Sequence, residues 1–200
     1  MLSPASGFAE RAPRTALEIG EGEARAILFQ HTVFAQTSLP YRDPGDDCQA
    51  WEQVNGAVHL RVEAGTVFAP VTGRWHRVGL PYGTKPRLIL AYLNREALIQ
   101  NTPEIDVDDS LTAFVRRLLG YPPNGKEIRR FKDQLTRLAA ANVRLGMLRG
   151  SHALQINSRS ITEIDLQLYP GESHRIFWPS KITLSPEYFA SLRHHAVPLD

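Results

Sequence analysis

Residues 126–141 read KEIRRFKDQLTRLAAA, and this stretch decides the predicted fold. Its apolar residues recur at spacings of three and four, the period of an α-helix that buries one face. The apolar side contains Ile128, Phe131, Leu135, Leu138 and Ala139. The opposite side contains Lys126, Arg130, Asp133 and Arg137, with Arg129 and Gln134 flanking it. The pattern predicts an amphipathic helix with a basic, hydrogen-bonding outer face.

Two helices and a short strand are predicted before this stretch. Thr84 is expected to cap the first helix, which has Pro86 in its first turn, where proline is tolerated. Residues 105–107 form the strand, and Ser110 supplies a capping oxygen for a helix over 111–119. Residues 120–125 read GYPPNG, a turn sequence that ends this helix.

A β-hairpin is predicted after the amphipathic helix, with strands over 143–148 and 153–157. The resulting order of helix, strand, helix, helix and hairpin is that of a winged helix. Residues 57–68 alternate apolar and polar side chains, as a half-buried strand does, and a turn at 71–74 leads into a returning strand over 75–80. The predicted fold class is α+β: a winged helix (helix-turn-helix plus β-hairpin wing) with additional β-strands.

Three segments are expected along the chain. Residues 1–25 mix Ser, Pro, Ala, Gly and Glu without a period and are predicted to be a disordered tail. Residues 26–180 form the winged-helix domain with its β-additions. Residues 181–200 form a C-terminal helix that includes Ser185-Pro186-Glu187, a good helix start.

The charge of the chain is concentrated in one segment. The net charge is +2, but residues 116–149 carry +7 and the remainder carries −5. A near-neutral chain with one strongly basic segment usually has a polyanionic partner for that segment. The segment is therefore expected to contact double-stranded DNA, although a solvated charged helix face remains the alternative.

The predicted DNA-contacting residues of the amphipathic helix have different roles. Arginine can grip guanine O6 and N7 with two hydrogen bonds, which suits a helix lying in the major groove. Lys132, near the apolar side, is expected to reach a phosphate. Asp133 either accepts a hydrogen bond from a cytosine amino group or pairs with Arg130 or Arg137, and the ion pair is favoured. The full set on this helix is Lys126, Arg129, Arg130, Lys132, Gln134 and Arg137.

Further contacts are expected from the hairpin and from the helix over 111–119. Arg144, Arg149 and Ser151 are predicted to form a wing that touches the DNA backbone or minor groove. Arg116 and Arg117 are predicted to meet phosphates. A plain hairpin and solvated arginines are the alternatives.

Other classes of site are not expected. Cys48 is the only cysteine, which excludes a disulfide and a four-cysteine zinc site within this chain. Residues 120–126 have P-loop spacing, but Glu127 stands where a Ser or Thr should hold magnesium. No apolar stretch approaches the roughly 20 residues of a membrane span. A non-enzymatic, cytoplasmic protein with no cofactor and no metal is expected.

The chain resembles the plasmid-encoded RepA family of replication initiators, from about Phe29 to the last residue. The segments that carry the resemblance include TVF (32–34), LPYRDPG (39–45), GLPYGTKPR (79–87), DSLTAFVRR (109–117), KDQL (132–135), RLG (144–146), WPS (178–180), LSPEYF (184–189) and HAVPLD (195–200).

The resemblance implies an initiator that binds repeated sequences at a plasmid origin and recruits host replication proteins. Related initiators use two winged-helix domains, and their dimers often repress their own gene. A homodimer is therefore expected, and residues 181–200 are the possible start of a second winged helix. The first such domain commonly provides dimerisation and phosphate contacts. For Arg130 and Arg137, both base readout and phosphate contact therefore stay as alternatives.

Two other functions remain as alternatives. A dimerisation or host-protein interaction module would use exposed apolar residues around Trp51, Phe68 and Trp75, although we expect these side chains in the core. A winged-helix transcriptional regulator would differ only in its target site.

Overall fold

The helices begin and end largely where local capping residues place them. The computed structural model describes residues 28–69, 72–107, 110–149, 152–158, 161–164 and 181–199. The helices of these ranges are α1 (Thr32–Gln36), α2 (Thr84–Gln100), α3 (Leu111–Leu119), α4 (Gly125–Ala140) and α5 (Pro186–His195). The side chains of Ser110, Asn124 and Ser185 cap α3, α4 and α5, respectively, by accepting from backbone N–H groups.

Antiparallel strands form the rest of the described fold. They are β1 (Leu28–His31), β2 (Ala50–Asn55), β3 (Val58–Glu63), β4 (Thr66–Ala69), β5 (Arg74–Arg77), β6 (Glu104–Asp106), β7 (Asn142–Arg149), β8 (His152–Ser158), β9 (Ile161–Ile164), β10 (Lys181–Leu184) and β11 (Ala196–Leu199). Two sheets have the strand orders β2-β3-β7-β8 and β6-β10-β9, and two ribbons pair β1 with β11 and β4 with β5. The predicted α+β class is confirmed.

The core is built around α2, which contacts α3, α4, α5 and β1. Its Ile89, Leu90 and Leu93 are fully buried. The Tyr92 ring meets the Phe114 ring of α3 edge-on, with their centroids 5.4 Å apart. Val58, Leu60 and Val62 face the core from β3, as the alternating pattern predicts. α4 buries Phe131, Leu135 and Leu138 in this core and exposes Arg129 and Arg130 on its other side.

The element order of the predicted winged helix is present, but its strand pairing is more extensive. β7 and β8 form the predicted hairpin, and β7 also pairs with β3 along its other edge. β6 pairs with β10 instead of joining the hairpin. The predicted wing is therefore half of a four-stranded sheet rather than a free ribbon.

Three sequence-based element assignments need correction. The strand predicted over 57–68 is two strands, β3 and β4, that end and begin beside Gly65. The helix predicted over residues 181–200 begins as strand β10, and α5 starts only after Ser185. Gly83, not Thr84, is the N-cap of α2, and its φ of 79° explains why a glycine is needed there.

The predicted boundary at residue 180 does not separate two cores. β10 pairs with β6 and β9, and β11 pairs with β1. Tyr188 of α5 is buried and its hydroxyl donates to Asn94 Oδ1 at 3.1 Å. Residues 181–199 thus complete the same core as the preceding elements. The predicted tail, residues 1–25, lies outside the described residues, as does 165–180.

Within the described ranges, no helix has both the length and the apolar character needed to cross a membrane.

Candidate nucleic-acid interface

A short capped turn joins α3 to α4. Gly120, with a φ of 76°, ends α3 by donating its N–H to the carbonyl of Arg116. Asn124 Oδ1 accepts from the N–H groups of Lys126 and Glu127, and the Glu127 carboxylate accepts from Asn124 N at 2.9 Å. This capping box fixes where α4 begins. The last turn of α3 and the first turn of α4 therefore lie at the same end of the helix pair.

Exposed basic side chains collect at this end, and we call them the basic cluster. Its members are Arg116, Arg117, Lys126, Arg129 and Arg130, all of them exposed. Arg117 donates to the Tyr92 hydroxyl at 3.3 Å. None of the other four forms an ion pair within the part of the chain that the structure describes. The cluster therefore presents positive charge to solvent, and the N-terminal dipole of α4 adds to it.

The one carboxylate in this turn is used by the cap. The N–H of Asn124 is the main cause that lowers the pKa of Glu127, followed by the Tyr121 hydroxyl and then by the charges of Lys85 and Arg130. Glu127 is thus an ionised capping group, and the nearby charge of Arg130 also favours its ionised form.

Lys85 joins this region from α2, with its Nζ 5.6 Å from the centroid of the Phe131 ring. Sequence analysis missed Lys85, because nothing local shows that α2 packs on α4. Lys132 is half-buried, in keeping with its predicted position near the apolar side of α4.

Gln134 and Arg137 do not lie on the open outer face where the helical period places them. Gln134 is only 3% exposed, its Oε1 accepts from Tyr82 N at 2.8 Å, and its Nε2 donates to Asp133 Oδ2 at 3.0 Å. The Arg137 side chain is 15% exposed and pairs with Asp133 at 3.1 Å. Its Nη1 lies 3.4 Å from the carbonyl of Leu80, and its guanidinium lies over the Tyr82 ring.

The cause is the segment 79–82, which covers this side of the C-terminal half of α4. A Cβ built on Gly79 would lie 2.5 Å from Arg137 Nη1, so the segment approaches the Arg137 guanidinium closely. The expected ion pair of Asp133 is present, with Arg137 as the partner. Gln134 and Arg137 therefore fasten a neighbouring segment to α4, which corrects their placement on an open DNA-facing stripe.

Arg144 of β7 is exposed, but its charge is compensated. Its Nη2 lies 3.2 Å from Glu63 Oε2, and Glu63 also accepts from Arg61 Nε at 2.7 Å. The hydrogen bond from Arg61 is the main cause that lowers the pKa of Glu63, and the charge of Arg144 adds to it. The structure thus separates Arg144 from the basic cluster. Ser151 and the side chain of Arg149 lie outside the described residues.

The ribbon of β4 and β5 exposes aromatic side chains that were expected in the core. Phe68 is 49% and Trp75 is 69% exposed, whereas Trp51 is half-buried and its Nε1 donates to the Ser38 carbonyl at 3.0 Å. The sequence indicates this exposure, because Arg74, His76 and Arg77 surround Trp75 and β5 therefore lacks the polar-to-apolar alternation of a half-buried strand.

Among the described residues, no three His, Cys, Asp or Glu side chains come together as a group that could hold a metal ion.

Comparison with known proteins gives one family match. The profile of the family described as plasmid encoded RepA protein matches residues 80–200, which include the basic cluster. No curated protein matches the chain.

Two solved structures of RctB domains 2 and 3 resemble the fold. One has a TM-score of 0.48 at 11% identity and is matched over 78% of this chain and 57% of its own. The other has a TM-score of 0.49 at 12% identity over 80% of this chain and 58% of its own. The chain thus spans less than three fifths of the RctB structures that it matches.

Proposed function

The chain belongs to the family of plasmid-encoded RepA proteins, and from this premise we propose that it initiates plasmid replication by binding repeated duplex sequences at the origin. The observation that carries the DNA-binding part is the basic cluster at the joined ends of α3 and α4. Four of its five cations face solvent without an ion pair among the described residues.

Phosphate contact suits these cations for a physical reason. A lysine or arginine that meets a DNA phosphate releases condensed counterions, and this supplies much of the binding free energy. The first turn of α4 contributes a partial positive charge at the same place. Arg129 and Arg130 also have the planar fork that reads guanine, so they are the candidates for base contact in this proposal.

The proposal extends to the rest of the initiator's role. The protein acts as a homodimer, recruits host replication proteins, and represses its own gene when bound at its promoter. It works in the bacterial cytoplasm by binding rather than by catalysing a reaction. These parts rest on family membership.

A competition experiment tests the DNA-binding part. Binding of the full chain to an origin-repeat duplex and to a scrambled duplex is measured by fluorescence anisotropy. We expect Arg130→Ala to weaken binding by about tenfold, an amount typical of losing one good contact. A loss confined to the origin sequence assigns base readout to Arg130, and an equal loss on both duplexes assigns phosphate contact.

Arg193→Ala is the matched control, because Arg193 is an exposed arginine of α5 outside the basic cluster. Its affinity should stay within about twofold of the parent, since surface charges away from a contact matter little in salt. A chain that binds neither duplex but self-associates in light scattering would instead favour the interaction-module alternative.

A further inference from the structure

The β4–β5 ribbon carries an aromatic pair that no packing in the described fold covers. Phe68 and Trp75 are directly opposite each other across the ribbon, and their ring centroids are 5.4 Å apart at an angle of 58°. Both rings are about half exposed or more. Because side chains alternate between the two faces of a strand, both rings occupy the same face. This face therefore exposes two aromatic rings to solvent.

Two arginines of β5 flank the aromatic pair. Arg77 is two residues from Trp75 and so shares its face, and Arg74 is exposed on the other face. Residues 66–77 contain no acidic side chain. Two acidic groups lie near the segment that follows the ribbon: Asp43 Oδ1 is 3.8 Å from Arg137 Nη1, and Asp46 Oδ1 would lie 3.6 Å from a Cβ built on Gly79. Neither Arg74 nor Arg77 forms an ion pair with another described residue, so the ribbon combines exposed rings with positive charge.

The base of the ribbon is anchored against the C-terminal end of α4. A Cβ on Gly65 would lie 1.9 Å from the carbonyl oxygen of Ala140, so only glycine permits this approach. The N–H of Val78 donates to the Gly65 carbonyl at 3.0 Å and closes the base. Ala140 follows the cluster residues of α4 by 10 to 14 positions, which is about 15–20 Å along a helix axis. The aromatic pair is thus a separate site from the basic cluster.

We propose that this ribbon binds single-stranded DNA, with Trp75 stacking on an unpaired base and Arg77 contacting the adjacent phosphate. An indole needs a base whose face is free, and duplex bases cover one another. The positive charge favours a polyanion over a basic or neutral protein surface. The inference goes beyond duplex binding by the basic cluster and does not depend on it.

Binding of a fluorescein-labelled dT15 oligonucleotide to the full chain tests the proposal. Trp75→Ala should weaken binding by about tenfold or more, in line with the loss of one stacked base. Trp75→Phe keeps an aromatic ring and should stay within about threefold of the parent. Arg77→Ala should weaken binding and make it less sensitive to salt.

Tyr41→Ala is the matched control, because Tyr41 is a 72% exposed aromatic residue outside the ribbon, and its loss should leave dT15 binding unchanged. Thermal melting of each variant checks that it is folded. Unchanged dT15 affinity in Trp75→Ala would overturn the proposal. The same holds if Trp75→Ala loses self-association but keeps its affinity for dT15.

Measuring the same variants on the origin duplex separates the two sites. Trp75→Ala should bind the duplex as the parent does, whereas Arg130→Ala should bind dT15 as the parent does. If Trp75→Ala loses affinity for both probes equally, the ribbon belongs to the duplex interface and the inference fails. If Arg130→Ala alone has no effect on the duplex, the proposed function fails while the ribbon site stands.

Discussion

Arg130 and Arg137 lie about two turns apart on the same helix, yet their surroundings give them different roles. Arg130 is exposed and has no ion pair among the described residues, whereas the Arg137 side chain is 15% exposed and contacts Asp133, Leu80 and Tyr82. The helical period identifies both as polar-face residues. It cannot show which of them a distant segment will cover.

Arg137→Ala should therefore act mainly on the stability of the fold, and Arg130→Ala mainly on DNA binding. Removing the guanidinium leaves the Leu80 carbonyl and Asp133 without their partner, which should lower the free energy of unfolding by about 1–3 kcal/mol. Arg130→Ala, a surface change, should lower it by less than about 0.5 kcal/mol. Urea denaturation measures both. Equal stability losses in the two variants would contradict the internal role of Arg137.

His31 gives the described fold a pH-dependent component. It is 1% exposed, its Nδ1 accepts from Val33 N at 3.2 Å, and its Nε2 lies 2.8 Å from Ser191 Oγ. Burial, with a smaller effect from nearby His195, lowers the pKa of His31 to about 4. The neutral ring is therefore the form that the folded protein holds.

Stability should fall as the pH drops below about 6.5, because the unfolded chain then binds a proton that folded His31 does not. Between pH 7 and pH 5 the contribution of His31 to the free energy of unfolding should decrease by about 2 kcal/mol. His31→Gln should lose this component, whereas the exposed control His76→Gln should keep it. Denaturation curves at both pH values test this, and identical pH dependence in all three proteins would refute it.

At the level of elements, the local sequence predicts a helix or strand where a capping side chain or a regular spacing of apolar residues determines it. Ser110 and Asn124 cap their helices through their own side chains, and Val58, Leu60 and Val62 alternate into the core. β10 and β11 were missed because each is short and is defined by partners far away in the chain, such as Ile105 for Ile182 and Leu28 for Leu199. Four-residue strands carry too little periodicity to be recognised alone.

The start of α4 depends on one capping side chain. Asn124→Ala removes the acceptor for the N–H groups of Lys126 and Glu127 and should cost about 1 kcal/mol of stability. Asn124→Asp is the control, since its carboxylate accepts the same bonds and should keep the stability within about 0.5 kcal/mol. Thermal denaturation compares the two, and equal melting temperatures for Asn124→Ala and the parent would show that the cap contributes nothing.

Across the whole molecule, the structure shows that only some of the basic side chains in the positively charged segment are available to bind a polyanion. Residues 116–149 carry a net charge of +7. Arg137 is compensated by Asp133, and Arg144 is compensated by Glu63. What remains open to a polyanion in the described fold is Arg116, Lys126, Arg129 and Arg130 of the basic cluster, with the half-buried Lys85 and Lys132 beside them. Composition locates the basic segment, but only the packing shows which of its cations are available.

The salt dependence of duplex binding tests this account most directly. If the four cations of the basic cluster that form no ion pair among the described residues meet phosphates, log affinity for the origin duplex should fall with log salt at a slope of about −3.6. The double variant Arg129→Ala/Arg130→Ala should reduce the magnitude of that slope by about 2, and Arg193→Ala should leave it unchanged. A slope near zero in the parent chain, or an unchanged slope in the double variant, would contradict the central claim.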